Sequence, residues 1–407
     1  MTYAAVVVGA RVAGSPTAML LARQGHRVLL VDRETFPSDV LSTHLLHVPA
    51  MAYLRRWGLL DRVVATGAPP HERFTMDFGP FAIAGPPPPV DGAQHAYCVR
   101  RTLLDKILVD AAREAGAEVR EGFTVDGLLH DADGRVTGVH GPDGPVKARI
   151  VIGADGLRSV VARKTGAGTY DATPSLTACY YAYYRSVSGL GAEIYQLGDR
   201  TVVVFPTNDN LACVFVACPI AQFHAFRKDV ERNYLEAIGR VPALAARVAA
   251  GERVERIRGT ADLPNFFRES HGPGWALVGD AGYHKDPCMA AGITDAFVCA
   301  QLLADVVHRG LAGEQDLDEA VASYVAARDD RFRPALQLTC QLASMEPPSA
   351  DMAKLLTTIA ADPAESTRFF GMLQGSTPIP EYFDPANIDH ILSAGTHRPL
   401  DSQEPRT

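Results

Sequence analysis

The chain has 407 residues, 47% of them hydrophobic and 21% charged, with a formal net charge of −8. That length holds about two to three domains with their own cores, and the acidic balance argues against a nucleic-acid partner, which requires a basic face. No apolar run reaches the roughly 18 residues of a membrane span, and the N-terminal stretch lacks the basic flank of a signal peptide.

In chain order, Ala4-Ala5-Val6-Val7-Val8 reads as a buried strand and Gly9-Ala10-Arg11-Val12-Ala13-Gly14 as a turn onto a helix. Val28 to Asp32 is the second strand of a βαβ unit, and its terminal carboxylate falls 23 residues after Gly9. Such spacing puts an acid where a dinucleotide ribose needs an acceptor, with the pyrophosphate on the helix N-terminus. Arg11 stands where the second glycine of G-x-G-x-x-G belongs, so its side chain must point away from the phosphates or toward them. Pro49 to Gly58 has helical spacing, Gly85-Pro86-Pro87-Pro88-Pro89 is a stiff loop, and Arg100 or Arg101 opens an amphipathic helix to Ala115. A strand at Glu118–Arg120 and turn pairs at Asp133-Gly134 and Asp143-Gly144 follow.

From 171 to 270 four successive strands are expected, at Ala178–Tyr184, Gly191–Leu197, Arg200–Pro206 and Leu211–Cys218, forming an inserted antiparallel sheet. Trp275 to Asp280 returns to the nucleotide domain, and helices are expected near Ala296–Arg309 and Leu317–Leu342. The predicted fold is α/β. A Rossmann-like cofactor domain of the glutathione-reductase type spans 1–170 and 271–310, the antiparallel substrate domain spans 171–270, and a helical region spans 311–407, with a polar, disordered tail from His397.

Two later segments extend the nucleotide reading. Gly153-Ala154-Asp155-Gly156, before Ser159 and Arg163, follows an apolar strand and opens a helix; Gly279-Asp280-Ala281-Gly282 ends another, with Pro287 and Gly292 beyond. Each exposes backbone amides and one carboxylate at a turn. With the first turn they give an order and spacing that resembles the class A flavoprotein monooxygenases, the FAD-dependent single-component aromatic hydroxylases and their relatives, over roughly residues 1–310. The resemblance implies FAD held in extended form. In it Gly9, Arg11, Val12, Ala13 and Gly14 form the pyrophosphate turn, Asp32 meets the adenosine ribose, and Arg33 lies near the adenine or pyrophosphate. Arg101, with Arg100 as neighbour, matches the family's helix-start arginine. Asp155 belongs to the second fingerprint, Asp280 meets the ribityl chain or pyrophosphate, and Pro287, Gly292 and Ile293 approach the isoalloxazine. Ala290-Ala291-Gly292-Ile293-Thr294 departs from the family's G-x-G-x-N stretch, and Tyr283 replaces a common histidine.

The chemistry implied is reduction of FAD by NADH or NADPH, addition of molecular oxygen to give a flavin hydroperoxide, and hydroxylation of a small or medium aromatic or polyketide-like substrate, fitting secondary metabolism. His44 and His284 are the candidate acid–base groups and Tyr181 and Tyr183 the candidate pocket residues. Phe205 and Pro206 on the neighbouring strand are further pocket candidates. Against these stand plain readings: surface or helix-start histidines at His44 and His47, a polar cluster of His284 with Lys285 and Asp286, and core packing for two of the four tyrosines Tyr180, Tyr181, Tyr183 and Tyr184 and for Phe205 and Pro206. Seven dispersed cysteines read as reduced thiols of a cytoplasmic protein, Cys288 among them as a small packed residue, and no metal site is expected. The same fingerprints serve FAD-dependent reductases of carbon–carbon double bonds (the geranylgeranyl-reductase type), and a non-catalytic flavin-binding redox sensor is a third reading. A halogenase is disfavoured by the lack of a W-x-W-x-I-P segment. Neither oligomeric state nor the nicotinamide preference is legible.

Overall fold

The computed structural model describes residues 2–42, 44–187, 189 and 191–396; the polar tail expected from His397 lies outside them. Short apolar strands of near-continuous burial form a parallel sheet because both faces are covered. Its order is Glu118–Arg120, Val28–Val31, Tyr3–Val8, Gly144–Gly153 and Trp275–Leu277, with a short antiparallel edge at His271–Gly272. Side chains alternate across it with period two. Ala5 and Val7 face the main core with helices Gly14–Arg23, Arg101–Glu114 and Gly292–Ala312. Val6 and Val8 face a second cluster, under the hairpin strands Gly127–His130 and Val136–Gly141. Helix Arg101–Glu114 buries Leu104, Leu108, Ala111 and Ala112, the i, i+4, i+7, i+8 stripe visible in the sequence. Burying each leucine stabilises by about 1.5–3 kcal/mol.

A second sheet of eight strands lies over this unit. The four expected strands are present as Thr177–Arg185, Ala192–Gln196, Thr201–Pro206 and Leu211–Pro219. The sheet also recruits Phe74–Asp77 and Ala82–Gly85, so it is not confined to 171–270. The correction has a physical reason: Ala192–Gln196 would otherwise be an open edge, and Phe74–Asp77 pairs with it in parallel. The interval 171–270 is likewise not all sheet. Helices Val230–Gly239 and Pro242–Ala250 cover the outer face, burying Tyr234, Ile238, Leu244 and Val248 against Tyr180 and Tyr184.

Helix Gly292–Ala312 packs beside Leu317–Ala343, and helices Ala350–Ala361 and Pro363–Gln374 close over Ala82–Gly85. No described helix is long and apolar enough to cross a membrane. No disulfide joins any of the seven cysteines; five are buried and two half-buried.

Candidate active site

Four adjacent parallel strands end at one crevice, and all three sequence fingerprints leave from those ends. Val8 registers with Val31 on one side and Gly153 on the other, and Gly153 with Leu277. Ala154 N–H donates to Val8 O at 2.8 Å and Val278 N–H to Gly153 O at 2.9 Å, locking the turns side by side. Ligands of open α/β sheets bind outside such carboxyl ends.

The glycines at these turns are sterically forced. Gly9 has φ +103°, and a Cβ there would sit 2.4 Å from Ala154 O; one on Gly14 would sit 1.8 Å from Gly9 O. Gly279 has φ +63°, and its added Cβ would fall 2.7 Å from Ala13 Cβ. The first turn thus touches both others. Helices Gly14–Arg23 and Gly292–Ala312 start here with Ala13 and Ala291 at their N-caps, without a side-chain cap. Their leading amides stay available to an anion.

Asp32 is buried and accepts from Ala10 N–H at 2.7 Å and Glu34 N–H at 2.8 Å, fixing the turn while each oxygen retains a second lone pair. Arg11 turns away from the glycine turn. Its guanidinium reaches Asp105 at 2.6 Å and Ser38 Oγ at 2.7 Å. Arg101 holds the same carboxylate at 2.9 and 3.1 Å, so the fully buried Asp105 is clamped by two arginines. Arg33 is largely exposed, paired with Glu34. Asp155 accepts from Val160 N–H at 2.6 Å and caps the next helix; burial pushes its carboxyl above the usual range. Asp280 is exposed at the crevice beside Gly279. These turns, uncapped helix ends and carboxylates fit the FAD that the resemblance implies.

Three of the four candidate catalytic residues come together. His44, at φ +64° and fully buried, lies in a T-shaped cluster with Tyr181 and Tyr183, ring centroids 6.1 and 5.7 Å away. Its Nδ1 sits 2.5 Å from Ser42 O, so Nδ1–H donates there and Nε2 accepts from Tyr183 Oη at 2.7 Å. Burial, reinforced by the Arg101 charge, depresses the His44 pKa to about 3. Burial likewise pushes Tyr183 up, and Arg100 lies 3.9 Å over its ring while pairing with Glu255 at 2.7 Å. Both groups therefore hold their protons fixed near neutral pH, and the cluster ties strand Thr177–Arg185 to the segment just before the short strand Leu45–Leu46.

His284 is not brought to that cluster. It sits on the two-residue strand Tyr283–His284, hydrogen-bonded through Nδ1 to Pro264 O and stacked 6.0 Å from Phe266. Strand pairing with Phe266 and Phe267 dictates this placement.

A cavity, partly open to solvent, lies between the second sheet, the Pro287–Ala290 segment and the C-terminal helices. Val203, Phe205, Phe215 and Ala217 line it from the same sheet face that carries Tyr181 and Tyr183. Tyr180 and Tyr184 point to the other face, Tyr180 stacking on Phe226 at 4.3 Å. No Asp, Glu, Lys or Arg lines the cavity among the described residues. Gly292 and Ile293 begin the helix just beyond it. Phe74, Phe370 and Gln374 complete the wall from segments far apart in sequence. No local motif marks them, since only the recruited strand and the C-terminal helix bring them here.

Residues 2–338 match the family model described as an FAD binding domain. Protein FixC of Escherichia coli is 27% identical over 321 residues, covering 72% of each chain. Digeranylgeranylglycerophospholipid reductase 2 of Methanopyrus kandleri is 28% identical, covering 82% of each. Among solved structures, the myxobacterial chondrochloren halogenase CndH superposes with TM-score 0.76 at 22% identity, covering 97% of this chain and 96% of that one. PqsL of Pseudomonas aeruginosa, titled a probable FAD-dependent monooxygenase, gives TM-score 0.71 at 19% identity, over 91% and 99%.

Proposed function

The chain belongs to the FAD-binding-domain family and is an FAD-dependent oxidoreductase, and from that premise we propose that it is a monooxygenase inserting one oxygen atom from O2 into an uncharged aromatic substrate. The single observation that carries this reading is the cavity. It is aromatic-walled, free of charged side chains, and bounded by the Pro287–Ala290 segment that follows the third fingerprint. FAD, reduced by NADH or NADPH, supplies the activated oxygen when bound. The Gly9–Gly14 turn and the helix ends at Gly14 and Gly292 would hold its phosphates, Asp32 a ribose hydroxyl, and Asp280 the ribityl side. Phe74, Phe205, Phe215 and Phe370 would stack or edge-pack on the substrate ring and exclude water, which protects a reactive oxygen donor from uncoupling. His44 and Tyr183 hold their strand against the cofactor half rather than exchange protons.

The test is a screen of neutral polycyclic phenols with FAD-loaded protein, NAD(P)H and isotopically labelled O2. The expected product carries one labelled oxygen. Substrate-stimulated NAD(P)H oxidation without label in any product would sink the reading.

The same uncharged lining supports a second reading, reduction of an isoprenoid carbon–carbon double bond, as in the name of the Methanopyrus kandleri relative. Turnover under strict exclusion of oxygen distinguishes it, because only the reductase would proceed.

A further inference from the structure

Between the third fingerprint and the helix that follows it lies an ion pair shielded from solvent. Lys285 comes directly after the strand Tyr283–His284, and its Nζ lies 2.6 Å from Asp295 Oδ2, the two side chains being 6% and 13% exposed. The ammonium also sits 5.4 Å over the Tyr283 ring, which stacks on Phe267 at 4.8 Å and on Phe332 at 5.1 Å. Burial alone would lower the Lys285 pKa, but the Asp295 carboxylate beside it holds the ammonium above its usual range. Neither side chain lines the cavity. Buried ion pairs are weak stability devices, because desolvation offsets the attraction. An electrostatic task explains this one better.

Asp295 stands in the first turn of helix Gly292–Ala312, where its N–H donates to Ala291 O at 2.9 Å. That helix end has no side-chain cap, and a Cβ added to Gly292 would meet nothing within 4 Å, so its approach is unobstructed. It follows directly on Pro287–Ala290, the segment that borders the cavity. Of the two helix ends at the crevice, it is therefore the one nearer to where cofactor ring and substrate must meet. A bare carboxylate in the first turn would offset the positive end of the helix dipole. The Lys285 ammonium cancels that charge at close range. Asp280 and Arg331 also act on Asp295, with opposite signs.

We propose that Lys285 is a positioning residue for the reduced state of the cofactor: by neutralising Asp295 it keeps the Gly292 helix end positive, which favours the negative charge that FAD gains on reduction. Uptake of a hydride from a nicotinamide, two electrons and one proton, leaves the flavin one unit more negative than its oxidised form. A positive helix end stabilises that product more than it stabilises the oxidised ring. The pair therefore sets how readily the cofactor is reduced. This rests on FAD in the crevice and not on the monooxygenase reading.

The experiment is an anaerobic spectroelectrochemical titration of the FAD-loaded full chain at pH 8, without substrate. Wild type is compared with Lys285→Met, Asp295→Asn and the double variant. Lys285→Met should lower the two-electron midpoint potential by about 30 mV, equivalent to a tenfold loss of preference for reduced over oxidised FAD. Asp295→Asn should raise it by a similar amount. The double variant, which again carries no net charge there, should return to within about twofold, or about 10 mV, of wild type. A merely structural pair would shift both single variants in the same direction and leave the double variant displaced as well. That pattern, or unchanged potentials in both single variants, overturns the proposal. Should Lys285→Met fail to retain FAD, the other two variants decide: a raised potential in Asp295→Asn with restoration in the double variant supports the proposal, and anything else overturns it. Because neither substrate nor oxygen is present, the outcome is separate from failure to find labelled product in the oxygenation screen.

Discussion

Arg11 shows how one residue can break a motif without breaking the turn. Glycine normally lets the backbone approach phosphate, yet here the arginine side chain leaves the crevice and joins Arg101 on the fully buried Asp105. The turn is thereby tied to helix Arg101–Glu114, which a glycine could not do. Removing the shared carboxylate leaves two guanidinium groups facing each other with little solvent. Asp105→Asn should therefore destabilise by about 3–5 kcal/mol and weaken FAD retention, whereas Arg11→Gly, which leaves Asp105 still paired with Arg101, should cost clearly less. Urea unfolding and FAD titration of both variants check this, and an Asp105→Asn protein as stable as wild type would refute the clamp. A sequence reading flags Arg11 as anomalous. It cannot supply Asp105, because the partner lies 94 residues away.

At the scale of elements, the loops are held more firmly than their turn-like sequences suggest. Gly279 combines positive φ with a close approach to Ala13, so Gly279→Val would strain the backbone and push the first and third turns apart. The expected result is a folded or partly destabilised protein purified without yellow colour, read from the flavin absorbance per chain. A Gly279→Val protein retaining stoichiometric FAD would show the contact to be dispensable. The loop's far end is fixed by Arg328, buried within helix Leu317–Ala343, which donates to Gly282 O at 2.9 Å, Tyr170 Oη at 3.0 Å and Asp329 at 2.7 Å. Arg328→Met should cost about 3–5 kcal/mol in chemical unfolding, since it removes the buried guanidinium partner of Asp329 and its donors to Gly282 O and Ser270 Oγ; a cost below about 1 kcal/mol would contradict that account. Strand–turn–helix fingerprints such as Val8–Gly14 and Gly153–Gly156 are legible because backbone sterics force glycine there. Arg328 is not, because a mid-helix arginine in sequence looks like any solvated one.

Across the whole molecule, the legible part is the parallel sheet and the four strands of 177–219, where local period and burial coincide. What escaped is assembly: Phe74–Asp77 crossing to the second sheet, the covering helices at 230–250, and the cavity walls contributed by Phe370 and Gln374. That assembly also buries three neutral histidines, His44, His47 and His71, with pKa values depressed by burial to about 3, 4 and 4 from an unfolded 6.5. Between about pH 6.5 and pH 4 the unfolded chain takes up these protons and the folded chain does not, so stability falls as pH falls. Each histidine contributes a slope of about 1.4 kcal/mol per pH unit, and the loss ends once the folded-state value is passed. Asp155 and Asp286, raised by burial, act with the opposite sign, so the comparison must be between variants that keep both. His71 stacks on Phe205 and borders Phe74, a setting in which phenylalanine fits. His71→Phe should lose some stability near neutral pH with its bond to Pro206 O, yet show an acid slope smaller than wild type by about 1.4 kcal/mol per pH unit between about pH 6 and pH 5. Urea midpoints measured at both pH values decide it, because equal slopes in the two proteins would mean that His71 is protonated as readily folded as unfolded.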